Sequence, residues 1–110
     1  MGKMSREKGK RGERMLAKAL RDYGYDCRRT AQFCGKTGEA SDVVGLPGIH
    51  IECKFVERLS IRDAMDQAVR DAKPGLIPAV MHKRSNEGWL VTMRLEDWIE
   101  LYRDYGREGE

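Results

Sequence analysis

The stretch Ile49-His50-Ile51-Glu52-Cys53-Lys54-Phe55 constrains this chain more than any other. Its apolar residues fall on every second position, the period-two pattern of a β-strand with one buried face. The alternation predicts a strand over residues 49–55 and puts Glu52 and Lys54 on the same side of it. A carboxylate and an ammonium two apart on an otherwise apolar strand read in two ways. Either they form a solvent-facing pair on a half-exposed sheet, or they are held for chemistry, because burying a charge is unfavourable unless it is paired or binds a metal.

Asp42 bears on that choice. It begins a short apolar run, Val43-Val44, and the turn Gly45-Leu46-Pro47-Gly48 then leads the chain back into the Glu52 strand. A hairpin of this size brings the Asp42 carboxylate beside that of Glu52. Adjacent carboxylates repel, and a divalent cation removes the repulsion. Oxygen-only ligands favour a hard ion, Mg²⁺ with Mn²⁺ as a substitute, which keeps several waters and meets substrate phosphate. Lys54, on the same face, would orient water or stabilise charge on that phosphate.

Around this centre the periodicity predicts a helix over about residues 8–23 (Met15, Leu16, Ala19, Leu20, Tyr23), stopped by Gly24, and a strand at 26–30. Residues 31–40, with Gly35 and Gly38, form a polar loop, and 41–44 a brief strand. Ser60 is an N-cap residue for a helix ending near Lys73, with the stripe Ile61, Ala64, Met65, Ala68, Val69 and Ala72. Strands follow at 77–81 and 89–93. A last helix, 95–105, would bury Leu95, Trp98, Ile99 and Tyr102. The order α-β-β-β-α-β-β-α implies an α/β fold, a single mixed sheet flanked by helices.

The 110 residues fit one domain, 1–110, with residues 1–8 a flexible basic arm. No stretch approaches the ~20 apolar residues that span a bilayer, and the charged N-terminus lacks a secretory signal, so a cytoplasmic protein with no membrane partner is expected. Three cysteines without zinc-knuckle spacing agree, Cys53 reading as a small buried hydrophobe; nothing supports a Cys27–Cys34 disulfide. Net charge is +3, but its distribution is uneven. Residues 1–14 hold six basic residues against Glu7 and Glu13, net +4, whereas 95–110 hold six acidic residues against Arg103 and Arg107, net −4. The basic start, with Arg28, Arg29 and Lys36, is suited to neutralising phosphates; the alternative is a solvated, frayed terminus. His50 and His82 lack ligand spacing and read as structural, and Trp89 and Trp98 as core.

Glu13 lies about 60° from Leu16 and about 20° from Leu20 on a helical wheel, at the border of the buried stripe, where it could reach over a sheet edge or remain an ordinary surface glutamate. Gly9 and Gly12 beside it are poor helix formers that permit close backbone approach.

The series Gly12-Glu13 on a first helix, Ser41-Asp42, then Glu52-Cys53-Lys54 resembles the PD-(D/E)XK nuclease superfamily, and within it Holliday junction resolvases of the archaeal type, including phage versions. The basic, glycine-containing run Lys8-Gly9-Lys10-Arg11-Gly12-Glu13-Arg14 is part of the likeness, which covers nearly the whole chain. It implies a restriction-endonuclease-like core, with Asp42 and Glu52 binding metal, Glu13 assisting, the Cys53 carbonyl a ligand and Lys54 acting on the attacking water. Some relatives carry a functional glutamine on the next helix, which points to Gln67 there or leaves it a plain surface residue. Ser41 departs from the proline that the family often has before the aspartate. The implied activity is Mg²⁺-dependent hydrolysis of DNA, most readily of four-way junctions by a homodimer, with Lys8, Lys10, Arg11, Arg14, Arg28, Arg29 and Lys36 gripping phosphates. The last helix or the strand 77–81 would supply the dimer interface. A repair, restriction-like or flap nuclease, and a catalytically silent DNA-binding module, remain as alternatives.

Overall fold

A computed structural model describes residues 2–30 and 41–109. The elements are α1 (Gly2–Asp22), β1 (Arg28–Arg29), β2 (Val43–Val44), β3 (Ile49–Phe55), α2 (Ile61–Asp71), β4 (Ile77–Lys83), β5 (Leu90–Thr92) and α3 (Leu95–Gly109). The strands form one sheet in the order β1-β2-β3-β4-β5. All neighbours are antiparallel except β3 and β4, which run parallel in register from Ile49↔Ile77 to Phe55↔Lys83. The mixed α/β sheet expected from the element order is therefore present.

The parallel pair requires a crossover, and α2 supplies it. Strand alternation then sorts the two faces. Leu16 and Ala17 of α1 pack in one buried cluster with Val43, Ile51, Cys53 and Met81. Ala64 and Ala68 of α2 pack with Val80, which is the register partner of Glu52, on the opposite face. Helices on both sides make β3 a doubly covered strand, so the expectation of one buried face is corrected: His50 and Glu52 are as buried as Ile51. Ser60 takes the N-cap position of α2 in extended conformation, without a side-chain cap bond.

Two other expectations change. The first helix, expected from about residue 8, begins at Gly2 and takes in most of the stretch read as a basic arm. Its Lys, Arg, Glu and Met residues are good helix formers, and extending a nucleated helix is far easier than starting one. The last helix does not bury its apolar residues: Leu95 is 75% exposed, Trp98 48% and Tyr102 54%. The sheet's two faces are already taken by α1 and α2. Trp98 stacks on Tyr102 at 5.2 Å on the helix surface instead of entering the core, whereas Trp89 is half-buried against it. No described helix is long and apolar enough to cross a membrane.

Glycines set the closest approaches. At Gly45 (φ +126°) an added Cβ would lie 2.5 Å from the Asp26 carbonyl oxygen, so the turn before β3 packs directly on the chain leading into β1. At Gly12 it would lie 2.5 Å from the Phe55 Cβ, and this contact seats α1 on β3; Gly9 faces open space. Gly9→Ala is therefore expected to stabilise the protein by up to about 1 kcal/mol through helix propensity. Gly12→Ala should destabilise it by about 1–3 kcal/mol despite the same gain, because the helix must be pushed off the sheet. Denaturant midpoints of the two variants will show the opposite signs.

Candidate active site

Strand β2 is only two residues long. Its ladder with β3 is the single register pair Val43↔Ile51, extended by the Asp42 N–H donating to the Ile51 carbonyl at 3.0 Å. Beyond this point β2 is gone, and the Cys53 N–H would lack a partner. The Asp42 carboxylate supplies one, its Oδ2 accepting from the Cys53 N–H at 2.9 Å. The N–H and C=O of one strand residue point to the same side. The Cys53 carbonyl therefore also faces the gap left by β2.

Glu52 points to the α2 face and is 4% exposed. The solvent-facing Glu52–Lys54 pair considered from sequence is not what forms. Glu52 Oε1 lies 3.0 Å from His50 Nε2, and His50 Nδ1 lies 3.0 Å from Ser41 Oγ, giving a buried line Ser41–His50–Glu52. Lys54 donates from Nζ to Gln67 Oε1 on α2 at 3.1 Å. Glu13, on the α1 face, accepts from Arg29 Nε on β1 at 2.8 Å.

An open cleft of about 370 Å³ at this edge is lined by Lys8, Gly9, Glu13, Asp42, Glu52, Cys53, Lys54, Phe55, Val56 and Gln67. The six residues expected to carry the chemistry thus meet in one place, from α1, the start of β2, β3 and α2. The expected phosphate contacts divide. Lys10, Arg11, Arg14 and Arg28 are exposed and Lys8 half-buried, while Arg29 is tied to Glu13 and Lys36 lies outside the described residues. Lys8 and Arg11 lie over the Phe55 ring at 5.0 and 5.4 Å, and Lys83, which sequence reasoning did not single out, joins them at 5.4 Å. Sequence reasoning also missed the bonds that His50 makes to Ser41 and Glu52. The available signal was its position two residues before Glu52, which places both on one face.

Burial first, then the neighbouring Glu52 carboxylate and also Glu13, push the Asp42 carboxyl from 3.8 to about 7, against the pull of the Cys53 N–H and Lys54. Burial and the same carboxylates push the Cys53 thiol far up, so it stays a neutral core residue. The fit to a divalent cation follows from the donors: two carboxylates that repel each other at a cleft, beside an outward carbonyl, are all hard oxygen. Among the described residues no group of three or more His, Cys, Asp or Glu side chains is placed to hold a metal ion.

The shift carries a sign. Folded Asp42 holds its proton more tightly than unfolded Asp42, so its contribution to stability is fullest below about pH 4, declines as pH rises toward about 7, and is level above. In chelator, the denaturation midpoint of the protein should fall over that window relative to Asp42→Asn, which lacks the titration. Divalent cation should restore stability increasingly as pH rises through the same range, since it competes with the proton.

The phage PDDEXK endonuclease family model matches residues 4–108. Among solved structures, Hjc from Archaeoglobus fulgidus, a Holliday junction resolvase from an archaeal hyperthermophile, superposes with a TM-score of 0.56 at 27% identity, covering 78% of this chain and 72% of that one. A search of curated protein sequences finds no match. The family match spans almost the whole chain, and its endonuclease character agrees with the carboxylate–lysine cleft at the sheet edge: the protein belongs to the phage PDDEXK endonuclease family, within the PD-(D/E)XK superfamily and with an archaeal Hjc-like fold.

Proposed function

We propose that this endonuclease is metal-dependent and resolves four-way DNA junctions as a homodimer, working in the cytoplasm. The observation that carries the metal dependence is the pair of carboxylates flanking the Cys53 peptide, half-buried Asp42 and buried Glu52, with Asp42 raised to about 7 by desolvation and then by Glu52. The junction as substrate is supported by the likeness to the A. fulgidus Holliday junction resolvase.

Asp42, Glu52 and the Cys53 carbonyl are the groups that would hold Mg²⁺, with Mn²⁺ able to replace it and Glu13 assisting from α1. When bound, such an ion neutralises charge on the phosphate and makes water a better nucleophile. Lys54, oriented by Gln67, sets its ammonium where charge builds on the phosphate. Arg29 holds Glu13 across the sheet edge and so serves that carboxylate before any DNA. Lys8, Lys10, Arg11, Arg14 and Arg28 contact backbone phosphates, which position a duplex without reading its sequence. Lys83 adds to this surface through the cluster on Phe55. By the family likeness, the cut ends carry 5′-phosphate and 3′-hydroxyl groups.

A four-way junction needs two symmetric cuts, and a two-fold dimer offers two clefts in fixed relation. The strand 77–81 cannot be the interface, because β4 is a central strand with Pro78 through Met81 buried. The last helix can. Leu95, Trp98, Leu101, Tyr102 and Tyr105 are exposed along α3, an apolar stripe of the kind that marks an association site. A second copy is the occupant that the symmetry of the substrate asks for.

Cleavage of a synthetic four-way junction, a flap and a linear duplex, each with Mg²⁺ and with chelator, tests the reading. Junction cutting should require the metal. Asp42→Asn and Glu52→Gln should each lower it at least about 100-fold while junction binding persists, and Gln67→Ala should lower it by roughly 10-fold. Preference for flap or linear duplex would replace the substrate and keep the nuclease. Binding without cutting under every divalent ion would leave only a DNA-binding module. In sedimentation, the unaltered chain should run as a dimer and Trp98→Glu as a monomer that makes single nicks.

A further inference from the structure

We propose that His50, held by Ser41, is a positioning residue: it fixes the Glu52 carboxylate so that one oxygen is reserved for the cation, an inference that rests on the metal-dependent reading above.

His50 is wholly buried, on the face of β3 that α2 covers. Packing alone would be met there by an apolar residue, without the need to satisfy two ring nitrogens away from water. Both nitrogens are engaged at 3.0 Å, and at opposite ends. Ionised Glu52 can only accept, so the imidazole Nε2–H donates to Oε1. In the neutral ring Nδ1 is then an acceptor, and the Ser41 hydroxyl is the group that donates to it. Glu52 thereby sets the tautomer, Ser41 holds the ring plane from the other end, and the ring in turn holds the carboxylate.

The consequence is directional. His50 occupies Glu52 Oε1 from the buried side, which leaves Oε2 for the cleft that Glu52 lines. Ser41 is itself anchored, its carbonyl accepting from Thr30 Oγ1 at 2.6 Å, while the Thr30 N–H donates to the Asp42 carbonyl at 3.1 Å. The line Ser41–His50–Glu52 therefore ties the segment bearing Asp42 to the strand bearing Glu52. It holds the two carboxylates in one arrangement before a cation arrives, as hydrogen bonds behind ligating groups generally do.

The test is Mn²⁺ uptake by the full chain without DNA, measured by titration calorimetry at fixed pH for the unaltered protein, His50→Leu, His50→Gln and Ser41→Ala. Melting in chelator reports folding. His50→Leu should weaken Mn²⁺ binding about 10- to 100-fold. His50→Gln, whose amide can still donate to Glu52, should recover most of that loss, and Ser41→Ala should lose several-fold. If His50→Leu does not fold, Ser41→Ala decides the matter. Folded His50→Leu and Ser41→Ala variants binding Mn²⁺ within twofold of the unaltered chain would overturn the proposal. So would equal weakening in His50→Leu and His50→Gln, which would make the ring a packing group. An unaltered chain that takes up no Mn²⁺ would overturn the metal-dependent reading itself, a result distinct from the other two.

Discussion

The structure turns on one place where a half-buried carboxylate, Asp42, meets a buried one, Glu52, because the sheet stops. Strand β2 leaves β3 after a single register pair, and the Cys53 N–H that would have bonded to it is taken by Asp42 instead. An apolar side chain at residue 42 would leave a backbone donor unmet. The fold therefore needs a polar acceptor at this point and must accept its charge near Glu52. The raised Asp42 carboxyl is the mark of that conflict. On the proposed reading, what destabilises this edge is what would give a cation somewhere to go.

Everything else aims at that edge through β3. The parallel β3–α2–β4 crossover covers the second face of the strand and turns its even positions into interior ones. Each polar residue there has a partner: His50 with Ser41, Glu52 with His50, Lys54 with Gln67. The odd positions do the packing, with Ile51 and Cys53 against α1, and Phe55 beneath Gly12. The same Gly12 contact brings α1 close enough for Glu13 to line the cleft from the other face. One strand thus packs α1 with its odd positions and carries the polar groups of the candidate site on its even ones.

That division explains what was legible in the sequence. Period-two alternation locates β3 and sets Glu52 and Lys54 together, because both follow from local geometry. The Gly/Pro turn locates Asp42 for the same reason. Helix stripes at 3.6-residue spacing locate α2, although Val69 proves exposed at 39%. What sequence could not carry were facts about partners across the fold. His50 looked like an isolated histidine because Ser41 reaches it only through the hairpin. Ser41 itself looked like a neutral replacement for a proline, yet its hydroxyl makes a bond that a proline could not. Arg29 looked like a phosphate ligand because Glu13 lies sixteen residues away in the chain. The stripe of α3 looked like core, since periodicity reports that a face is apolar and not what covers it.

The misread helix also completes the charge pattern. A sheet has two faces, and here α1 takes one and α2 the other, so α3 has no face of its own chain left to cover. Its segment is also the acidic part of the sequence, net −4 over residues 95–110, whereas residues 1–14, which include the cleft-lining Lys8, Gly9 and Glu13, carry net +4. An acidic surface is repelled by phosphates, so DNA approaching the cleft has little reason to settle on α3. On the proposed reading, the apolar stripe would thereby be kept clear of substrate and free for association. In the proposed assembly charge would separate a side for DNA from a side for a partner, each built on a helix that the sequence places at one end of the chain.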